Sequence, residues 1–360
     1  MPLTSRTLMG PGPGNPYPEV ALGLAKPLLG HLDPLFLSIL DETNERLRQV
    51  WRTENRLTFP VSGTGSAGME ISFVNVVTPG AVVVVGVNGV FGNRMVDVAE
   101  RAGADVVRVD FDWGTPVDPE RLLAAHPDPD IIALVHAETS TGVRSDIEAV
   151  AAGKGRALVI ADCVTSLGGI PVEIDEWGID IAYSGTQKCL GVPPGLAPFT
   201  INERAMERVV ERPQSWYLDL NLIAGYVDSD SGRSYHHTAP IPMIQALHAG
   251  LGALLEEGLE ASWERHQRVG DHLKQGLVEL GFELFAAEGH RLPELTTVIV
   301  PEHITDEANV RRRLLEDYDI EIGGGLGAYA GKVWRIGTMG HTARESNVRL
   351  LLAALEEIID

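Results

Sequence analysis

The sequence predicts an α/β protein: a large domain on a mainly parallel central sheet, followed by a smaller C-terminal α+β domain. Three observations carry that expectation. Apolar runs of strand length alternate with helix-spaced segments from Arg56 onward. Two of those runs break off just before a charged residue, at Asp162 and Lys188. After Pro240 the pattern changes to long stretches with apolar residues three and four apart, the spacing of extended helices.

The elements follow in order. Residues 9–18, Met-Gly-Pro-Gly-Pro-Gly-Asn-Pro-Tyr-Pro, break both helix and central strand. They read as an extended arm crossing another surface, with Tyr17 and the apolar stretch from Val20 to Leu29 pinning it down. A helix is expected over 65–77, a strand over 81–87, a helix over 91–102 and a strand over 106–109. Helix 119–125, strand 131–136 and helix 147–152 come next. Two buried strands then end near Asp162 and Tyr183, and such alternation implies a sheet covered on both faces. Long helices are expected over 243–259 and 262–280, then strands 297–300 and 333–336 with helices 307–316 and 344–358. Thr342 followed by Glu345 reads as a capping box for the last helix. The expected division is an arm 1–20, a large domain 21–257 and a small domain 258–360.

Composition narrows the function. With 360 residues, 44% of them hydrophobic, the chain can fill more than one core. A balance of 29 basic against 50 acidic residues, net −21, argues against nucleic acid, whose phosphates need clustered Lys and Arg. No stretch reaches the about eighteen apolar residues of a membrane span. The N-terminal segment lacks a signal peptide's apolar core and the C-terminus carries no peroxisomal tripeptide. Cys163 and Cys189 form neither a disulfide framework nor a metal spacing, so a reducing cytoplasm is expected. His236-His237 suggests metal at first sight, but neighbours on an extended segment are expected to point to opposite sides, so no metal is read here.

The chemistry concentrates at the expected carboxyl-terminal sheet edge, where open α/β sheets bind ligands. Lys188, one of five lysines, follows the run Ile179-Asp180-Ile181-Ala182-Tyr183, and Asp162 ends Ala157-Leu158-Val159-Ile160-Ala161. An amine for a Schiff base and a carboxylate for a pyridinium proton are what pyridoxal 5′-phosphate requires of a protein. Ser62-Gly63-Thr64-Gly65-Ser66-Ala67-Gly68 precedes an apolar helical run and reads as a phosphate cradle at a helix start. Gly63, Gly65 and Gly68 also fit the dinucleotide fingerprint by number, and Asp162 with Lys188 stand against that reading. Phe91 suits stacking on a flat heteroaromatic ring and equally a place in the core. The polar loop from His136 to Gly142 adds hydroxyls at the same level. Arg335 suits a substrate carboxylate, or a structural role on carbonyl groups, with Arg94 and Arg144 as alternates.

The ordered motifs Asn88-Gly89-Val90-Phe91-Gly92, Glu138-Thr139-Ser140-Thr141-Gly142, Asp162 to Gly169, Ser184-Gly185-Thr186-Gln187-Lys188 and Tyr235-His236-His237-Thr238-Ala239-Pro240 resemble the class V aminotransferases. So do Gly323 to Gly327 and Gly331 to Gly337, so the likeness spans nearly the whole chain. Within the family it is nearest the alanine–glyoxylate and serine–pyruvate type. The resemblance implies a fold-type I, pyridoxal-phosphate-dependent homodimer with a shared active site. It implies that Lys188 forms the Schiff base, Asp162 pairs with the pyridine nitrogen and Val164 packs under the ring. Thr64, Gly65, Ser66 and Gln187 would hold the phosphate, and Thr139 would face the ring hydroxyl. Tyr235 and Thr238 would reach the partner's phosphate, and Arg335 would grip the substrate carboxylate. Two positions depart from the family pattern: Phe91 stands where Trp is common, and Ser66 where some members carry His.

The implied activity is ping-pong transamination from a small L-amino acid, alanine or serine, to glyoxylate or pyruvate. Serine–glyoxylate and 2-aminoethylphosphonate–pyruvate transfer keep the same machinery and stand as alternatives. A cysteine desulfurase would need a Cys late in the chain, and none follows Cys189. A catalytically silent cofactor-binding scaffold could dispense with Lys188 and Asp162, and both are present.

Overall fold

The computed structural model describes residues 5–228 and 233–359. Its centre is a seven-stranded sheet in the spatial order Leu57–Ser62, Leu196–Ile201, Ile181–Tyr183, Leu158–Asp162, Ile131–Val135, Val82–Val87 and Asp105–Asp110. The last five run parallel, and only Leu196–Ile201 is reversed, pairing antiparallel with both its neighbours. The sequence reading had no element for this reversed strand. Parallel pairing needs a long crossover, commonly a helix. The stretch 184–195 that leads into this strand instead turns back without a helix and carries Lys188. The inner strands are buried throughout and mostly apolar because helices cover both faces.

Helices Gly65–Val74, Val90–Arg101 and Ile147–Ala152 fall close to their expected places. A long helix, Pro34–Trp51, was not anticipated, although its signals are present. The Asp33 side chain accepts from the Leu35 N–H, Pro34 occupies the first turn, and Phe36, Leu40, Leu47 and Trp51 are buried at helical spacing. The apolar stretch after the arm is pinned less than expected. Val20 is buried, whereas Leu22 and Leu28 are each 73% exposed. Pro18, assigned to the arm, opens the helix Pro18–Leu24.

A second, antiparallel sheet contains Glu283–Leu284, Leu295–Ile299, Val333–Gly337 and Gly323–Gly324. Its core joins Val269, Leu273 and Leu277 of helix Leu259–Glu279 to Trp334, Ile336 and Leu351. The capping box does not form. The helix Glu345–Ile359 begins at Glu345, while the Thr342 hydroxyl accepts from the Asn15 N–H at 2.9 Å. Glu345 turns to His272 and Arg268 instead. The arm competed successfully for the capping oxygen.

That arm ties the two sheets together. Thr7–Leu8 pairs with Ile320–Glu321, Met9 is fully buried in the second core, and the Gly337 N–H donates to the Met9 carbonyl at 2.8 Å. Further on, the Gly14 N–H donates to Gln187 O and the Tyr17 N–H to Gly191 O, both at 3.0 Å. A Cβ on Gly337 would stand 2.1 Å from the Gly10 carbonyl oxygen, so the arm can lie there only against glycine. Gly337→Ala is therefore expected to lift the arm, lowering stability by about 1–3 kcal/mol in urea unfolding. It should also open residues near Pro11 to limited proteolysis; an unchanged midpoint with a protected arm would contradict this.

Candidate active site

Asp162 and Lys188 are delivered by neighbouring parallel strands. Asp162 is the last residue of its strand and lies in register with Tyr183, the last of the next. Thr64, Gly65 and Ser66, Phe91 and Thr139, and Asp162, Val164, Gln187 and Lys188 all line one cavity of roughly 100 Å³. Nine of the sequence-predicted site residues thus meet in one place.

Asp162 is 3% exposed. One carboxylate oxygen accepts from the Val164 N–H at 2.9 Å and the other from the Tyr183 hydroxyl at 2.8 Å. Burial pushes its pKa up to about 6, against the pull of those two hydrogen bonds. Lys188 is 8% exposed, and its ammonium donates to the Pro11 carbonyl of the arm. Burial, and then the positive charge of Arg335, pull its pKa down to about 8. A Cβ on Gly12, whose φ is +104°, would lie 2.5 Å from the Lys188 side chain. The arm therefore roofs the amine closely, and only glycine permits it.

The phosphate cradle has the local form expected. Thr64 sits at the N-cap of the ten-residue helix Gly65–Val74 without using its side chain to cap it, which leaves first-turn N–H groups for an anion. A Cβ on Gly65 would come within 3.0 Å of Val164 Cγ2, so glycine lets this turn close on the site. Gln187 Oε1 is buried with no hydrogen-bond partner. Turning that amide over presents its NH2 to an anion. The donor set, an amine, a buried carboxylate and an anion cradle around one cavity, fits pyridoxal 5′-phosphate.

Arg335 lies on Val333–Gly337 outside the cavity's lining, 7% exposed. Its Nε donates to Gly324 O at 2.8 Å and Nη1 to Thr139 O at 3.3 Å, so it holds backbone carbonyls in the way its structural alternative describes. Burial brings its pKa down to about 10. Of the two alternates, Arg94 lines the cavity, 4.9 Å from the Phe91 ring centroid and 3.3 Å from Ser66 Oγ. Arg144 opens onto other hollows. Tyr235 and Thr238 are not brought to this cavity; Tyr235 is 57% exposed, tilted on His31, with its hydroxyl 3.4 Å from Thr238 Oγ1.

The two histidines do not diverge. His236 Nδ1 and His237 Nδ1 lie 2.8 Å apart, and His237 Nε2 meets Ser62 Oγ at 2.7 Å. Alternation along an extended chain sets Cβ directions, not where rotatable rings end up. Among the described residues no group of three or more His, Cys, Asp or Glu is placed to hold a metal ion.

Two contributors escaped the sequence reading. Glu138, fully buried, accepts from the N–H groups of Phe91, Gly92 and Ser140 at 3.0–3.3 Å and from the Ser140 hydroxyl at 2.6 Å. It fixes the start of the helix that carries Phe91. Tyr183, whose hydroxyl donates to Asp162, is the other. Glu138 lies inside a motif and Tyr183 at the end of an apolar run, but only strand register and the folded loops reveal their partners.

The sequence profile of the family described as Aminotransferase class-V matches residues 25–349. The (S)-ureidoglycine–glyoxylate transaminase of Bacillus subtilis is 39% identical over 98% of this chain and 90% of its own length. The alanine–glyoxylate aminotransferase of Oryctolagus cuniculus is also 39% identical, over 98% of this chain and 92% of its own. The crystal structure of an alanine–glyoxylate aminotransferase from Nostoc sp. superposes with a TM-score of 0.96 at 46% identity, covering 100% of this chain and 97% of that one.

The depressed pKa gives Lys188 a signature. In cofactor-free protein its reductive methylation by formaldehyde with cyanoborohydride as hydride donor, read by peptide mass spectrometry, is expected to rise with a midpoint near pH 8. Neutralising Arg335 as Arg335→Gln removes a repelling charge and should move that midpoint upward. A midpoint near the ordinary lysine value in the parent protein would contradict the burial argument.

Proposed function

Because the chain belongs to the class-V aminotransferases, and is thus a pyridoxal-phosphate-dependent transaminase acting on amino and 2-oxo acids, we propose that it moves the amino group of a small L-amino acid, alanine or serine, to glyoxylate or pyruvate. The observation that carries this reading is the small cavity in which Lys188, Asp162 and the cradle meet under the Pro11–Gly12 roof. Glyoxylate stands in the names of all three relatives above, which favours it as acceptor. Ureidoglycine is a second donor reading, because the relative named for it matches as well as the rabbit enzyme named for alanine.

When bound, pyridoxal 5′-phosphate supplies a carbonyl carbon for the amino group and a ring that accepts the electrons of the substrate Cα–H bond. Thr64, Gly65, Ser66 and Gln187 would hold its phosphate, Val164 and Phe91 would flank its ring, and Thr139 would face its hydroxyl. Lys188 Nζ would anchor it and, as a free amine, would serve as general base for the substrate Cα proton; a pKa near 8 suits that task at neutral pH. Asp162 would keep a proton on the ring nitrogen. Arg335 exchanges its grip on Gly324 O and Thr139 O for the substrate carboxylate, whose two oxygens match its fork and fix the Cα–H direction. Donor and acceptor use the same pocket in turn, which makes the kinetics ping-pong.

The same reading includes a homodimer in which Tyr235 and Thr238 complete the partner's phosphate site. The exposure of the large apolar side chains Leu22, Leu28, Leu35, Trp216 and Tyr235 supports it, since an interface would cover such groups. It also keeps the division at residue 258, supported by the break at Gly258 (φ +91°) between helices Ile241–Glu257 and Leu259–Glu279. Among the described residues no helix is long and apolar enough to cross a membrane. A cytoplasmic setting suits the two buried free thiols.

The test is a half-reaction. Holoenzyme given L-alanine, L-serine, (S)-ureidoglycine or 2-aminoethylphosphonate without an acceptor should lose its visible absorption fastest with its own donor, releasing one equivalent of oxo acid. Glyoxylate should restore the absorption, and Lys188→Ala should show neither change. Conversion by the phosphonate alone, or by none, would overturn the assignment. Arg335→Gln should lower kcat/KM for the donor about 10- to 150-fold, the loss of a charge-assisted hydrogen-bonding pair. An unchanged value would return Arg335 to a structural role.

A further inference from the structure

The Asp162 carboxylate has a partner that the transamination reading does not use. Tyr183 stands directly beside it in register on the neighbouring parallel strand, so both side chains leave the same face of the sheet. Its hydroxyl donates to Asp162 Oδ2 at 2.8 Å, and it is wholly buried. The ring cannot swing away. A Cβ on Gly68 would lie 2.9 Å from Tyr183 Cβ and 3.2 Å from Cδ2, so the Gly65–Val74 helix presses its backbone onto the tyrosine. On the other side Phe199 of the reversed strand pairs with it. A phenol held by a helix and two strands is a rigid donor, unlike a water or a surface side chain.

We propose that Tyr183 is the positioning residue for Asp162: its hydroxyl aims the carboxylate and keeps it ionised, so that the ring nitrogen facing Asp162 stays protonated. This rests on the reading that Asp162 pairs with the pyridine nitrogen of the cofactor.

The balance around Asp162 is fine enough for one donor to matter. Burial disfavours its charged form, and the buried Glu138 adds repulsion. Opposing them are the Val164 N–H on Oδ1, the Tyr183 hydroxyl on Oδ2, and the more distant charge of Arg94. The Lys188 ammonium also faces it. One donor on each oxygen leaves each a lone pair, so a third partner can still be accepted. The phenol stays neutral, because burial and the adjacent carboxylate both push its ionisation up. No proton leaves Tyr183; it only donates a hydrogen bond. Without it, Oδ2 would be buried with no donor from the protein, and the carboxyl would take up a proton at higher pH.

The experiment uses holoenzyme carrying cofactor labelled with ¹⁵N in the ring, its protonation followed by NMR between about pH 6 and 9. Wild-type protein should hold the nitrogen protonated throughout. Tyr183→Phe keeps the ring's packing and removes only the hydroxyl. Its nitrogen should titrate inside that window, and cofactor affinity, measured by equilibrium dialysis, should fall about tenfold. Added to Asp162→Asn, the same change should cost nothing further in affinity. A nitrogen titration identical to wild type would overturn the inference, as would an equal affinity loss in the Asp162→Asn background, which marks a merely structural role. If Tyr183→Phe does not fold, wild-type protein grown with 3-fluorotyrosine, a stronger donor, should raise the nitrogen's pKa when both titrations are carried above about pH 9 to their midpoints, and no rise would overturn the inference. A wild-type protein whose cofactor nitrogen is never protonated would instead overturn the pairing with Asp162, and this inference with it.

Discussion

A carboxylate and an amine are held almost out of water at the ends of two adjacent strands, and the architecture around them can be read as what that requires. Buried charge is costly unless the protein supplies compensating dipoles. Asp162 receives them from the Val164 N–H and the Tyr183 hydroxyl, Lys188 from the Pro11 carbonyl. The compensation is deliberately incomplete in its effect: Asp162 is shifted up to about 6 and Lys188 down to about 8. Perturbations toward neutrality of this kind mark groups poised to exchange protons or ligands.

The arm carries the constraint across the molecule. It pairs with the second sheet at Thr7–Leu8, buries Met9 there, and then lays Pro11 and Gly12 against Lys188. Arg335 reaches back from the second sheet to Thr139, in the turn beyond strand Ile131–Val135 of the first. The site is thus enclosed from both sides by parts of the chain that are far apart in sequence. A shift of the second sheet would move the roof over the amine and the Arg335 guanidinium together.

The deviations from the sequence reading share one cause. Thr342 lost its capping role because Asn15, more than three hundred residues away, binds its hydroxyl. His236 and His237 converge because Trp216, Ser62 and each other are their nearest partners, whatever the alternation of the backbone. The reversed strand Leu196–Ile201 was invisible because an apolar run has no direction until it is paired. Local patterns propose partners, and long-range contacts replace them when the geometry is better.

What the sequence determined by itself was the composition of the site and its order along the chain. Apolar runs ending near Asp162 and Lys188, and a small-residue turn before a helix at Thr64 to Ser66, are local chemistry, and strand edges and helix starts impose it on the residues themselves. Nine of the predicted residues meet in one cavity for that reason. Only the tertiary structure decided that Tyr183 serves Asp162, that Glu138 anchors the helix of Phe91, and that the arm roofs Lys188. Each of these depends on register or on the path of a distant segment, and neither is encoded by spacing within one element. Where Arg335 points was likewise decided by folding, since a guanidinium binds whichever carbonyls or carboxylates the closed protein brings within its reach.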